Sequence, residues 1–497
     1  MDSVHLSEGK TFFGHPRGLA TLFFTEMWER FSYYGMRALL VLFMTAAVTG
    51  ENPGLGLDVS TATAIYGLYT AMVYLLTLPG GWVADKLWGQ QKAVFIGGII
   101  IAAGHFSMAL PFRFTFFLGL ILIVVGTGFL KPNVSTIVGE LYPEGGARRD
   151  AGFSIFYMGI NLGAFFGPLL CGLLGESYNW HLGFSLAGIG MVLGLIQYKL
   201  GEKYLGTAGT FKGKEAPEVI AQRSRRFFMI AGAIGAVVMI IAALAGVGVI
   251  HLPLQQIAQA LGYGIVALAI VYFAYLYFAG GHTPVEKQRL LVIFWLFILA
   301  AIFWSGFEQA GSSMNLFAKE YTDRTLMGWE MPASWLQSVN PLLIITLAPV
   351  FGWLWVWLAR RNANPSIPVK FALGLLGLAA GFFVLAWGAA NASPEHPVSP
   401  AWLIVTYFLH TCGELALSPV GLSSVTKLAP EGRVGQMMGV WFIAAALGNL
   451  FAGLVAGQLE SLPPNELFWS VATIVGGAGI VALLFSPFVR RLMGDIE

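Results

Sequence analysis

The chain is a succession of long apolar runs separated by short polar segments. Fourteen runs stand out, near residues 18–48, 60–84, 93–111, 114–138, 151–175, 181–200, 227–250, 256–279, 290–318, 335–359, 369–390, 400–426, 434–458 and 467–489. Each is long enough to cross the roughly 30 Å hydrocarbon layer as a helix. The runs are continuous and lack the alternation of a barrel strand, and only helices and closed barrels satisfy every backbone group in lipid. The pattern predicts an all-α membrane protein with fourteen transmembrane helices.

Composition narrows the class further. Of 497 residues, 57% are hydrophobic, 11% are charged and 62 are glycine, which excludes a string of soluble domains. The net charge of +2 gives no reason to expect nucleic acid as a partner. Cys171 and Cys412 both lie inside apolar runs and read as small packing residues, not as a disulfide or metal pair. The first run follows a polar stretch and carries charges, so it reads as its own insertion signal and not as a cleavable leader. Basic residues concentrate in alternate connections. Only Arg113, Lys319 and Arg324 fall on the opposite side, and Arg30, Arg37 and Lys131 fall within spans. The positive-inside rule then places both termini in the cytoplasm.

Charges inside the first run are its most informative feature. Glu26, Glu29, Arg30 and Tyr33 stand at i, i+3, i+4 and i+7 and share one helix face, with the arginine flanked by both carboxylates. A charge near mid-bilayer costs roughly 2.5–3.5 kcal/mol on insertion scales, so such groups mark functional interiors. A buried ion pair that only fixes helix packing would need one carboxylate; here there is a surplus.

The stretch Glu26-x-x-Glu29-Arg30-Phe31-x-Tyr33-Tyr34-Gly35 resembles the first-helix signature of the proton-coupled oligopeptide transporters, the POT or PTR family of the major facilitator superfamily. Phe156-Tyr157-x-x-Ile160-Asn161-Leu162-Gly163 resembles its second signature, with Ala164 where serine is common. Gly80-Gly81-x-x-x-Asp85-Lys86-x-x-Gly89-x-x-Lys92 resembles the superfamily loop between helices 2 and 3, which implies a gating role for Asp85. The resemblance covers nearly the whole chain except the termini and one helix pair. It implies a major facilitator fold of two six-helix halves, 1–200 and 283–497, with a basic cytoplasmic linker at 201–226 and an inserted transmembrane pair at 227–282. A faint internal repeat agrees: Pro79-Gly80-Gly81-Trp82 ends the second span, and Pro349-Val350-Phe351-Gly352-Trp353 recurs in the eighth of the twelve. The short connection at 391–400 has no room for the extracellular domain of animal members, which points to a bacterial inner-membrane protein.

Other polar residues fall inside spans at positions that would complete a transport site. Lys131 directly precedes Pro132 and needs a carboxylate partner, from Glu26 and Glu29 or from a ligand. Glu308 is a carboxylate in an apolar run with no basic residue within a turn. Asn340 directly precedes Pro341, Glu414 lies a turn before the Ser418-Pro419 break, and Tyr69, Asn161, Gln309 and Ser418 offer further hydrogen-bonding groups. Cations thus come from the first half (Arg30, Lys131) and carboxylates from the second (Glu308, Glu414). A zwitterionic peptide needs that polarity: its carboxylate toward Arg30 and Lys131, its amino end toward Glu414. Trp304 and Trp441 supply aromatic walls for variable side chains.

The expectation is therefore a proton-coupled symporter of di- and tripeptides, working by alternating access without a cofactor. Its partners are peptides, protons and membrane lipid, and the chain is expected to be a monomer. Glu308 leads as proton carrier, released from a basic partner expected to be Lys131, while Glu26, Glu29 and Arg30 titrate in concert. A carrier of nitrate, an amino-acid derivative or a drug on the same fold is the alternative, and it would not need Glu414. A membrane-embedded hydrolase is a remote one, since no metalloprotease, Ser/Lys or paired-Asp arrangement is present.

Overall fold

The computed structural model describes residues 11–213, 215–246 and 249–494. Of the basic residues that the sequence assigns to the cytoplasmic side, Lys10 and Lys214 lie outside the described residues. In chain order the helices are α1 (Arg17–Thr45), α2 (Val59–Leu75), α3 (Thr77–Val83), α4 (Gln90–Met108), α5 (Arg113–Glu140), α6 (Gly146–Ser177) and α7 (Trp180–Gly201). There follow α8 (Pro217–Gly246), α9 (Leu254–Ala279), α10 (Pro284–Phe307), α11 (Ser313–Glu320), α12 (Val339–Arg360), α13 (Ile367–Ala389), α14 (Ala401–Leu428), α15 (Val434–Ala456) and α16 (Pro464–Met493). A hairpin of β1 (Thr325–Leu326) and β2 (Trp329–Glu330) lies between α11 and α12.

Among the described residues, 13 helical segments are long and apolar enough to cross a membrane. Helix α1, 29 residues long, is long enough too and carries Glu26, Glu29, Arg30 and Arg37 within its apolar sequence. Together these match the fourteen runs read from the sequence. Two runs are not single helices. The second breaks at Leu76 between α2 and α3 and then widens into a π-helical turn, Ala84–Trp88. The seventh run of the two halves breaks at a 3₁₀ turn, Glu308–Gly311, between α10 and α11.

Packing divides the chain into two compact units. One holds the chain through Met36 together with Leu76–Pro253; the other holds Arg37–Leu75 and Leu254 onward. The first has a core of Leu19, Leu22, Leu130, Val134, Ile137 and Tyr198, joined by Leu205 and Ala208 from the segment after α7. In the second, α2 and α9 meet α15 at Ala71, Ala258, Ala446 and Leu450. Small residues let these backbones approach closely: Gly67 lies directly against Gly453. Helices α8 and α9 thus fall in different units, and the apolar stretch of α8 has no buried residue.

Candidate functional site

In the first unit the site is built on α1. The face predicted from spacing is present, and Glu26, Glu29, Arg30 and Tyr33 are all buried. Arg30 Nε lies 2.5 Å from Glu29 Oε2 and 3.2 Å from Glu26 Oε1. Its guanidinium also stands 5.0 Å from the centroid of the Tyr33 ring, within cation–π range. Glu26 Oε2, Glu29 Oε1 and Arg30 Nη2 are buried and make no hydrogen bond among the described residues. Two carboxylates on one guanidinium leave a negative surplus. Lys131, half-buried on α5, is near enough to act on Glu26 electrostatically.

Glycines on α6 bring its backbone against α1. Gly159 lies on Phe23, Gly163 on the Met27 carbonyl and the Arg30 side-chain root, and Gly167 on the Phe31 carbonyl. This four-residue spacing of glycines is a close-packing device of membrane helices. Asn161 falls on a different face of α6 from these glycines, and its Nδ2 donates to the Tyr157 carbonyl one turn back at 3.0 Å. On α5, Pro132 removes a backbone donor, and Asn133 Nδ2 donates to the Phe129 carbonyl at 2.6 Å. Asp85 is exposed in the π-helical turn after α3 and accepts from Gln90 Nε2 at 2.7 Å.

The second unit holds the other half of the candidate residues. Glu308 sits at the break between α10 and α11, and Arg37 Nη1 donates to its Oε2 at 2.8 Å. Both side chains are buried, 8% and 6% exposed. The basic partner that the second unit itself supplies to Glu308 is Arg37. Sequence reasoning placed Arg37 within a span and gave it no role. The available signal was its position at i+7 from Arg30, which puts a second cation on the same stripe of α1. Tyr66, to which the sequence reading gave no role, donates its hydroxyl to the Glu308 carbonyl at 3.3 Å and so ties α2 to the 3₁₀ turn.

Around this pair, Gln309 uses both ends of its amide locally. Nε2 donates to the Ser305 carbonyl at 3.1 Å, and Oε1 accepts from Ser313 Oγ at 2.8 Å. Asn340 on α12 donates to Thr411 Oγ1 at 2.9 Å and to Glu414 Oε2 at 3.1 Å, so it ties α12 to the carboxylate on α14. Ser418 is half-buried one turn beyond Glu414, just before Pro419. Tyr69 is buried on α2. Trp304 packs edge-on against Phe303 and Phe307, and its indole Nε1 makes no hydrogen bond among the described residues. Trp441 is buried against Gly421 and stands edge-on to Phe371. The second unit therefore offers a buried ion pair at a helix break and a carboxylate held by an amide, the two carboxylates near enough to act on one another electrostatically.

Comparison with known proteins gives a consistent result. The model of the POT family matches residues 91–469. The chain is 46% identical over 510 aligned residues to the peptide transporter YePEPT of Yersinia enterocolitica subsp. palearctica, covering 100% of this chain and 98% of that one. It is 37% identical to a di-/tripeptide transporter of Lactococcus lactis subsp. cremoris, with 100% of each chain covered. It is also similar to the crystal structure of a peptide transporter POT in complex with sulfate, with a TM-score of 0.88, 41% identity and 97% of each chain covered.

Proposed function

The chain belongs to the POT family of the major facilitator superfamily, and we propose that it is a proton-coupled symporter importing di- and tripeptides across a bacterial inner membrane. Both termini face the cytoplasm in this reading, supported by the distribution of basic residues. Its relatives are transporters, so the hydrolase alternative falls away.

The observation that carries the proton-coupling reading is the buried Arg37–Glu308 pair at the α10–α11 break. Breaking a buried pair by removing one charge leaves the other uncompensated in a dry site, which is strongly unfavourable. A proton arriving at Glu308 does this chemically: it cancels the carboxylate charge and releases Arg37. The second half of α1 then loses its strongest tie to the helix break, which is a conformational step linked to one proton. In the other unit, Arg30 and Lys131 receive the peptide carboxylate, and the surplus among Glu26 and Glu29 lets that cluster exchange protons with the substrate's arrival. Glu414, oriented by Asn340, receives the peptide amino group. Tyr33, Tyr69, Asn161, Gln309 and Ser418 line the path, Trp304 and Trp441 form its aromatic walls, and Asp85 serves the gate.

The driving force is adequate. A proton entering down about 100 mV supplies roughly 2.3 kcal/mol, and one pH unit adds about 1.4 kcal/mol. Their sum supports a gradient on the order of several hundredfold for a neutral peptide. No cofactor takes part, and the chain works as a monomer.

The test is uptake of labelled dialanine into proteoliposomes under an imposed inward proton gradient, with Glu308→Gln beside the wild type. The reading predicts accumulation by the wild type and exchange without accumulation by the variant. Accumulation by the variant moves the proton role to Glu26 and Glu29. No uptake by the wild type overturns the peptide assignment in favour of a non-peptide solute.

A further inference from the structure

The segment after α7 resembles an ordinary basic linker in sequence, but in the structure its first part is docked. Tyr204 lies under the Arg17 guanidinium, 3.9 Å from ring centroid to Cζ, and Leu205 and Ala208 are buried in the core of the first unit. The chain then turns twice through left-handed glycines, Gly206 at φ 57° and Gly209 at φ 74°. Between them it meets the start of α4. Gln91 Nε2 donates to the Ala208 carbonyl at 2.6 Å, and the Gln91 amide donates to the Gly209 carbonyl at 2.9 Å.

Glu140, the last residue of α5, holds this segment from the other side. One oxygen, Oε2, accepts from the Gly209 amide at 2.8 Å and from Lys212 Nζ at 2.7 Å. The following backbone crosses Gly89, the single residue between the Asp85 turn and α4. Gly89 is itself left-handed, φ 81°, and a Cβ there would stand 2.6 Å from the Phe211 amide nitrogen. The fit is backbone on backbone. A cavity of about 180 Å³ beneath it is lined by Asp85, Gln90 and Glu140 from one side and by Thr210, Phe211 and Lys212 from the other. The same turn is braced from α8, where Phe228 stacks on Trp88 at 5.3 Å and Phe227 meets Trp82 at 5.3 Å.

We propose that Glu140 is a positioning residue that clasps residues 205–212 over the Asp85 turn, making the connector between the halves a part of the gate. An exposed ion pair such as Lys212–Glu140 contributes little alone. The clasp works because the same oxygen also satisfies a backbone donor at a turn only glycine adopts without strain. The gate role of Asp85 rests on the transport reading above; the docking of the connector does not.

Two full-length variants test this. Glu140→Gln keeps an acceptor for the Gly209 amide and loses the charge, and Glu140→Ala loses both. In detergent, chymotryptic cleavage after Phe211 is expected to accelerate about fivefold in the first and more in the second. In proteoliposomes, the maximal rate of proton-driven dialanine uptake is expected to change at least about threefold, with KM for dialanine unaltered. Unchanged cleavage in both variants overturns the clasp. Faster cleavage with unchanged maximal rate overturns the positioning role, and a change confined to KM does the same. Cleavage needs no substrate, so if the wild type fails to carry dialanine the proteolysis still decides whether Glu140 holds the connector.

Discussion

Arg37 and Glu308 lie 271 positions apart in the chain and meet at 2.8 Å as a buried ion pair. Such a pair is costly to break from one side and much cheaper to remove from both. Arg37→Gln or Glu308→Gln alone should destabilise the second unit by about 3–5 kcal/mol. The double variant Arg37→Gln/Glu308→Gln should recover much of that loss. Thermal melting in detergent over the four combinations measures the coupling. Strictly additive losses would show that the pair carries no stabilisation of its own.

Arg30 reaches both of its carboxylates through one nitrogen of a planar fork. A lysine there keeps the charge but presents a point donor, so Arg30→Lys is not a conservative change. Uptake per unit KM should fall about tenfold or more while the protein still folds. Wild-type rates in that variant would mean that charge alone suffices at this position.

Gly163 has no room for a side chain, because its Cβ position overlaps the Met27 carbonyl of α1. Gly163→Ala must push α6 away from the helix that carries Glu26, Glu29 and Arg30. Overpacking of this kind costs about 1–3 kcal/mol. Loss of uptake should accompany the lower melting temperature, whereas Gly232→Ala, where nothing lies within 4 Å, should change neither.

How much of this was legible in the sequence depends on range. The spans were readable because lipid demands uninterrupted apolar helices, and the α1 face was readable because its residues recur within two turns. The partner of Glu308 was not, since residues 37 and 308 share no local pattern. Nor was the inward turn of Gln309 and Asn161: a carbonyl four residues back competes with any ligand for an amide, and spacing does not decide the rotamer. The docked connector was hidden for a similar reason. Its glycines and lysines have linker composition, and its order comes from Glu140 and Gln91, which are distant in sequence.

Asp58 caps α2, with Oδ1 accepting from the Thr61 amide at 2.7 Å and from Ser60 Oγ at 2.8 Å. Partial burial opposes its ionisation, but these hydrogen bonds outweigh it and hold the carboxyl below its ordinary value. A depressed carboxylate stabilises the fold above the unfolded pKa and loses that contribution as pH falls through the folded one. Asp58→Ala should cost about 0.5–2 kcal/mol near neutral pH. Asp58→Asn should retain the cap and flatten the acid side of a melting-temperature profile; an unchanged acid limb would exclude Asp58 as its source.

Asn340 is the amide that holds Glu414 to α12. Asn340→Ala should raise KM for dialanine about fivefold or more, from the loss of one well-placed hydrogen bond to a charged group. Proton-driven accumulation at saturating peptide should persist. An unaltered KM would remove the Glu414 neighbourhood from recognition of the peptide's amino end.

Helix α1 runs unbroken from Arg17 to Thr45, yet its packing partners change between Met36 and Arg37. The second run also changes partners at Leu76, but there the helix is interrupted. Arg30 and Arg37 are two turns apart on one stripe, about 10 Å along the axis. A joint would absorb displacement; a stiff rod delivers it. Under the proposed coupling, a displacement of the Arg37 end on release tilts the whole of α1, the turn that carries Arg30 included.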